Sequence, residues 1–109
     1  MSEGIYDFQR EHAALLAEVR QANPGAMFIV GDIYEPAIPL SDAERRGLSA
    51  ANTAIHNNCE PVQAIVASIH DTFQGRSHNF LCLGIEPTLL GATAIAKLFE
   101  EAYRRHSRQ

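Results

Sequence analysis

The sequence NPGAMFIVGD, residues 23–32, decides the fold class. Its first three residues form an Asn-Pro-Gly turn, which stops a helix that precedes it. The apolar run 26–30 follows without a break, and such a run after a helix and a turn is typical of a strand buried on both faces of a parallel sheet. The stretch therefore predicts a buried strand of an α/β protein, which we place at residues 27–33.

Helices are predicted on both sides of this strand. Apolar residues recur with a helical period from Ile5 to Val19, which indicates a first helix. After Pro36 and Pro39 comes Ser41-Asp42-Ala43-Glu44, a capping box in which the serine oxygen accepts from the first helical turn and the glutamate reaches back to the serine N–H. This box predicts a second helix that ends near Asn57.

The second half of the chain repeats the alternation. Residues 62–69 are predicted as a second strand, the polar stretch 71–79 as a loop or one loose turn, and residues 80–83 as either a short third strand or a core-facing loop. Pro87 is expected at, or just before, the start of the last helix. Helical and extended segments that alternate predict a parallel sheet with right-handed crossovers.

We therefore predict one α/β domain, residues 1–109, with a partial flavodoxin-like three-layer fold. In this fold a short parallel sheet of two to three strands is flanked by three helices. The core is expected between the two longer strands and the first and last helices. Its most buried members should be Leu16, Phe28, Ile29, Val30, Ile65, Val66, Leu98 and Phe99.

Composition argues against several classes of protein. With 46% hydrophobic residues among 109, the chain can bury a real core. Its net charge is -4 and its basic residues gather only at the C-terminal end, so no nucleic-acid partner is expected. No apolar run approaches the roughly 20 residues of a membrane span and no leader is visible, so we expect no membrane association and a cytoplasmic location. Cys59 and Cys82 form no CxxC motif and are expected to be apolar fillers, with no metal or other cofactor.

Several motifs resemble those of SGNH (GDSL-type) hydrolases. The turn at Asn23-Pro24-Gly25 and the strand that runs to Tyr34-Glu35-Pro36 resemble that family's helix, strand and Tyr-x-Pro segment. Ala51-Asn52-Thr53-Ala54-Ile55 resembles its Leu-Asn-x-x-Ile helix, with alanine in place of the leucine, and Asp71-Thr72-Phe73-Gln74-Gly75 resembles its Asp-x-x-x-Phe-x-Gly stretch with a shorter spacing. Leu83-Gly84-Ile85-Glu86-Pro87 takes the place of its final Asp-x-x-His-Pro motif. The resemblance covers nearly the whole chain but only about the C-terminal half of the family's fold.

The family's catalytic motifs have no counterpart in this sequence. Gly31-Asp32 is followed by Ile33 rather than serine, and the second glycine block and the Gly-x-Asn-Asp block are missing. In the final motif, Leu83 stands at the acid position and Glu86 at the histidine position. A triad needs a histidine to accept the serine proton and a carboxylate to orient that histidine. The resemblance therefore implies no catalytic residue in this chain.

Four residues are candidates for a ligand pocket: Tyr34, Asp71, Phe73 and Glu86. Tyr34 and Phe73 are aromatics at loop mouths, for which core packing is the simpler account. Glu86 precedes a helix N-terminus, where it would also complement the helix dipole. Asp71 lies in the polar stretch beside His70, and the spacing of these two with His78 matches no known metal-ligand pattern.

The remaining polar residues have structural accounts that we prefer. Asn52 lies beside the buried stripe of the second helix, where it either orients a loop by hydrogen bonding or is solvated on the helix surface, and we favour the second. Ser41, Ser68 and Ser77 lie in no Gly-x-Ser-x-Gly nucleophile elbow.

Three functions are compatible with these observations. The leading hypothesis is a non-enzymatic interaction or assembly module of SGNH ancestry. The second is the C-terminal half of a split SGNH-type esterase or lipase that a separately encoded N-terminal half completes. The third is a binder of small ligands at the carboxyl ends of the strands, where open α/β sheets bind them. Because so few strands leave unpaired edges, we expect a homodimer or a complementary protein chain as partner.

Overall fold

The computed structural model describes residues 3–107 of the chain. Helices and strands alternate along it, so the predicted α/β class is confirmed. In chain order the elements are α1 (Glu3–Ala22), β1 (Ile29–Gly31), α2 (Asp42–Cys59), a 3₁₀ turn (Glu60–Val62), β2 (Ile65–Ala67), α3 (Ile69–Phe73), α4 (Ser77–Phe80), β3 (Leu81–Cys82), β4 (Glu86–Pro87) and α5 (Leu89–Ser107).

The central sheet is a parallel pair of strands between two layers of helices. β1 and β2 pair with Ile29 opposite Ile65 and Gly31 opposite Ala67. On one face, Leu16 of α1 and Ile55 of α2 form a cluster against both strands. On the other face lies α5, whose Phe99 comes so close that a Cβ on Gly31 would meet its ring at 3.3 Å. The predicted three-layer arrangement is therefore present.

The buried core differs from the expected one. Of the eight predicted core residues only Leu16 is fully buried, and the other seven, which are Phe28 just before β1 and six residues of β1, β2 and α5, are half-buried. Each strand has three residues and only one sheet neighbour, so its side chains are shielded less than those of a central strand. The second helix supplies much of the core instead, through Ala51, Ala54, Ile55 and Cys59.

Three predicted segments have other structures. The second strand stops at Ala67 because α3 begins at Ile69, and the expected loop 71–79 contains helical turns of α3 and α4. The third strand shrinks to two residues and pairs antiparallel with β4, outside the parallel sheet. Leu83 and Gly84 both have positive φ, +52° and +88°, which is the left-handed geometry of a tight hairpin turn.

The last helix begins two residues after Pro87, close to the second of its two predicted positions. Pro87 lies in β4 opposite Leu81, and α5 begins at Leu89. Thr88 caps this helix, since its Oγ1 accepts from the N–H of Gly91 at 3.1 Å. The N–H of Thr88 donates to the carbonyl of Phe80 at 2.8 Å, which ties the start of the helix to the end of α4.

The capping box of α2 is confirmed. The N–H of Glu44 donates to Ser41 Oγ at 3.1 Å, and the N–H of Ser41 donates to Glu44 Oε1 at 2.9 Å. The backbone hydrogen bond from Ser41, and then its side chain, hold the pKa of Glu44 below its ordinary value. The box fixes where α2 begins, and hence which of its side chains reach the strand ends.

A half-buried arginine ties α1 to the turns at the amino ends of both strands. Arg20 Nε donates to the carbonyl of Val62 at 2.8 Å, and its Nη1 donates to the carbonyl of Ala26 at 2.6 Å. Its guanidinium also stacks over the ring of Phe28, 5.5 Å from the centroid. The planar fork of arginine suits this set of carbonyls better than an ammonium would.

The two cysteines have opposite environments. Cys59 is fully buried between α1 and α2, and burial raises the pKa of its thiol. Cys82 is exposed in β3, and both thiols are free. Only Cys59 therefore matches the expected apolar filler.

We expect the contact between α1 and α2 to weaken in acid through His12. Its Nδ1 accepts from Asn58 Nδ2 at 3.1 Å, its ring stacks on Phe8, and burial lowers its pKa below the ordinary 6.5. A histidine whose pKa is lower in the folded protein than in the unfolded chain makes its full contribution to the stability of the fold when the pH is above the unfolded-state pKa. That contribution is lost as the pH falls from 6.5 through the folded-state pKa. The fold should therefore lose stability in acid relative to His12→Gln, whose amide does not titrate.

Urea unfolding of both proteins across this pH range measures the difference. Parallel curves for the wild type and His12→Gln would contradict a role for His12.

Candidate functional site

The carboxyl ends of the two parallel strands meet beside α2 and place three polar side chains together. Asp32 directly follows β1, and Ser68 directly follows β2. His56 reaches them from the last turn of α2. Because parallel strands end at the same edge of a sheet, residues distant in sequence become neighbours here.

Asp32 is the centre of this cluster. It is 7% exposed, and no other charged residue within residues 3–107 is buried. Its Oδ1 accepts from the backbone N–H of His70 at 2.8 Å. Its Oδ2 accepts from Ser68 Oγ at 3.2 Å and from His56 Nε2 at 3.1 Å. The carboxylate therefore joins the end of β1, the start of α3 and the face of α2, and a buried carboxylate requires partners of this kind.

Asn52 forms hydrogen bonds with the backbone of the segment that follows β1. Its Nδ2 donates to the carbonyl of Ile33 at 2.9 Å, and its Oδ1 accepts from the N–H of Ile33 at 2.8 Å. The amide thus bonds one residue of backbone as a neighbouring strand would. The preferred interpretation of Asn52 as a solvated surface residue is wrong, and the loop-orienting alternative is correct.

A cavity of about 530 Å³ opens beside this cluster. Its walls come from α2 and from the segments that follow β1 and β2. Arg45 Nη2 lies 4.0 Å from Glu35 Oε1 at its rim, and His70 Nδ1 lies 3.4 Å from Asp71 Oδ1. The lining residues are Asp32, Glu35, Arg45, Leu48, Ser49, Asn52, Thr53, His56, Asn57, Ser68, His70 and Asp71.

The structure separates the four pocket candidates. Asp71 lines the cavity, whereas Tyr34, Phe73 and Glu86 lie outside its walls. Phe73 is 1% exposed and stacks on Tyr34 with ring centroids 4.9 Å apart, as the core-packing account predicts. Tyr34 Oη donates to the carbonyl of Ile85 at 2.6 Å. Glu86 is exposed in β4 opposite Cys82, because the segment expected to lead into a helix forms a hairpin.

The central residues of the site, Asp32 and His56, were not among the candidates. Asp32 carried one usable signal, since a polar residue directly after a buried parallel strand lies where such sheets bind ligands. No sequence pattern marks His56 as a site residue, because its proximity to Asp32 depends on how α2 packs beside the strand ends.

The hydrogen bonds do not form a serine–histidine–aspartate relay. In such a relay the histidine lies between serine and carboxylate and accepts the serine proton. Here Ser68 Oγ and His56 Nε2 both bond the same oxygen of Asp32, so the carboxylate takes the central position. Within residues 3–107, no group of three or more His, Cys, Asp or Glu side chains is placed to hold a metal ion.

Comparison with solved structures defines the class of fold. A GDSL-like lipase from Parabacteroides merdae matches with a TM-score of 0.78 and 14% identity, over 90% of this chain and 49% of that one. The esterase domain of the ORF1 protein from the zebrafish ZfL2-1 retrotransposon matches with a TM-score of 0.79 and 18% identity, over 96% and 61%. LAE5, an α/β hydrolase enzyme from the metagenome of Lake Arreo in Spain, matches with a TM-score of 0.72 and 20% identity, over 90% and 46%.

The chain therefore has an SGNH-like hydrolase fold, as the motifs implied. It spans about half to three fifths of the length of these three solved structures. No protein-family model and no curated protein matches the sequence.

None of the helices within residues 3–107 has both the length and the hydropathy needed to span a bilayer.

Proposed function

We propose that this chain is a non-catalytic SGNH-like domain that binds a small polar ligand in the cavity at the carboxyl ends of β1 and β2. The observation that carries the proposal is the cavity itself. Its volume, about 530 Å³, lies in the range of small-molecule sites. It lies at the strand ends, where open α/β sheets bind ligands.

The walls suit a ligand with several hydrogen-bonding groups. Ser49, Thr53 and Asn57 project from α2 at helical spacing and offer hydroxyl and amide groups. Arg45 supplies a cation and Asp71 an anion on opposite segments. Such a mixture of donors and acceptors fixes the orientation of a polar molecule better than it holds an apolar one.

The hydrogen bonds around Asp32 support binding rather than catalysis. Ser68 Oγ donates a hydrogen bond to the Asp32 carboxylate, which also accepts hydrogen bonds from His56 and from the His70 N–H. The serine is therefore a structural donor and not an activated nucleophile. The sequence has no Gly-Asp-Ser motif to supply another.

A fragment screen read by residue-resolved NMR tests the binding proposal. The probes are small polar molecules with two or more hydrogen-bonding groups, and shifts should concentrate at His56, Asn57, His70 and Asp71. Ser49→Trp fills the cavity from an exposed position of α2, and it should abolish the shifts. Arg46→Trp places the same ring on an exposed position of α2 that does not line the cavity, and it should leave them unchanged. Shifts that survive Ser49→Trp would disprove the site.

We expect no hydrolysis of short p-nitrophenyl esters or thioesters above background by the pure chain. The reason is the lack of an activated nucleophile and of oxyanion donors, each of which contributes about 10²–10³-fold or more to the rate. A spectrophotometric assay measures this. Saturable turnover that is lost in Ser68→Ala or in Glu86→Gln would show that the chain is an enzyme after all.

The chain matches only part of each solved structure, and this favours a second candidate function. Because the chain matches 46–61% of each, a separate polypeptide could supply the rest of a split esterase. The test is to express the chain together with any adjacent reading frame that encodes a Gly-Asp-Ser strand–helix unit. A co-purifying complex that hydrolyses p-nitrophenyl acetate would replace the non-catalytic proposal with this one.

We also propose that the chain is located in the cytoplasm. Both cysteines are free in the structure, and a reducing compartment keeps them so.

A further inference from the structure

One edge of the parallel sheet has no partner strand in the described chain. The N–H of Ile65 donates to the carbonyl of Phe28 at 2.8 Å, and the N–H of Asp32 donates to the carbonyl of Ala67 at 3.2 Å. Hydrogen bonding alternates along a parallel strand, so the even-numbered residues of β1 face β2. The N–H and C=O groups of Ile29 and Gly31 therefore point to the opposite side, which we call the outer edge.

The outer edge is open only over a short, defined length. Asn52 already occupies it at Ile33 through both of its amide hydrogen bonds. The open part therefore covers residues 27–31, with outward backbone groups at Met27, Ile29 and Gly31. An unpaired edge of this kind is a template for an added strand.

Exposed apolar side chains lie next to the start of this edge. Val19 and Met27 are 38% and 37% exposed, and they line one shallow cleft together with Phe28. Leu15 is exposed one helical turn before Val19. Residues 26–31 contain no charged side chain, so two copies of this segment meet without charge repulsion.

We propose that the outer edge of β1 pairs antiparallel with β1 of a second copy, across a twofold axis at Ile29. In this register Ile29 lies opposite its own copy and Met27 lies opposite Gly31, so the outward backbone groups of all three residues are paired. The register is self-complementary, as a closed twofold interface requires. The two sheets then form one four-stranded sheet, and Leu15 and Val19 of both copies lie on the same face of it. The proposal does not depend on the ligand cavity.

Sedimentation equilibrium and residue-resolved hydrogen exchange test this assembly on the full chain. The mass should approach twice 12.0 kDa through the micromolar range. In the dimer the amides of Ile29 and Gly31 should be protected from exchange, and they should lose that protection on dilution. The amide of Val30, which faces β2, should stay protected at every concentration.

Lysine substitutions at the exposed positions supply the second arm of the test. Met27→Lys and Val19→Lys should each raise the dimer dissociation constant about tenfold or more, because each places an ammonium group, which is costly to desolvate, at an apolar position beside the paired edge. Leu83→Lys changes a side chain that is 87% exposed in the hairpin, and it should leave the constant unchanged. Circular dichroism verifies that all three variants fold.

Three results would overturn the proposal. The first is a wild-type chain that stays monomeric at every concentration. The second is a dimer in which Ile29 and Gly31 exchange as fast as in the dilute protein, since its contacts would then lie on helix faces. The third is a monomer that binds only a separate SGNH-like half-domain through this edge.

Discussion

Asp32→Ala should lower the free energy of unfolding by about 3–5 kcal/mol, because it leaves the His70 N–H and Ser68 Oγ without an acceptor, and an unsatisfied buried donor costs about 1–3 kcal/mol. The variant loses the acceptor for three donors: the His70 N–H, Ser68 Oγ and His56 Nε2. Each of the buried donors then keeps its desolvation cost without a hydrogen bond. Urea unfolding followed by circular dichroism measures the loss.

Two variants of the same site serve as controls. Asp32→Asn keeps an oxygen for the His70 N–H and should cost about half as much, on the order of 2 kcal/mol. Asp71→Ala removes a carboxylate whose side chain is 84% exposed and should change stability by no more than about 0.5 kcal/mol. If Asp32→Ala costs no more than Asp71→Ala, the network does not hold the strand ends together.

Gly91→Ala should destabilise the protein by about 3 kcal/mol, at the upper end of typical overpacking costs. A Cβ at Gly91 would lie 2.1 Å from the carbonyl oxygen of Phe80 and 2.9 Å from its carbonyl carbon. This backbone cannot move aside easily, because the same carbonyl accepts from the N–H of Thr88. The first turn of α5 would have to shift away from α4 and β3.

Gly47→Ala is the matched control for this prediction. Gly47 also lies inside a helix, α2, but a Cβ there meets nothing within 4 Å. Alanine should therefore stabilise the protein by about 0.5–1 kcal/mol through its helix propensity alone. Thermal unfolding of both variants should show shifts of opposite sign. Shifts of the same sign would mean that α5 does not pack on Phe80 as closely as the structure has it.

The parts of the fold that sequence predicts well depend on local signals. The capping box at Ser41 fixes the start of α2, and the apolar run after Asn23-Pro24-Gly25 finds β1. A short strand was one of the two alternatives for residues 80–83, but its partner β4 was not predicted, because Pro87 suggests a helix start and only its pairing with Leu81 shows a strand. No local pattern reports such pairing.

The site was harder to predict than the fold for the same reason. Asp71 could be selected because it lies in a polar stretch of the chain. Asp32 and His56 are 24 residues apart and become partners only when α2 packs beside the end of β1. The role of Asn52 was also hidden in the sequence, because it depends on a hydrogen bond to the backbone of Ile33, which is distant in the chain.

The parallel pairing of β1 with β2 also has a consequence for the order of folding. Ile29 and Ile65 are partners although a long segment separates them, and closing a long loop before any contact forms is entropically costly. α2 lies within that segment and carries its own capping box, so it can become helical from local interactions and shorten the flexible part of the loop. We therefore expect the α1–α2 pair to form early and the two strands to join late, so that the strand-end cavity is among the last features to appear.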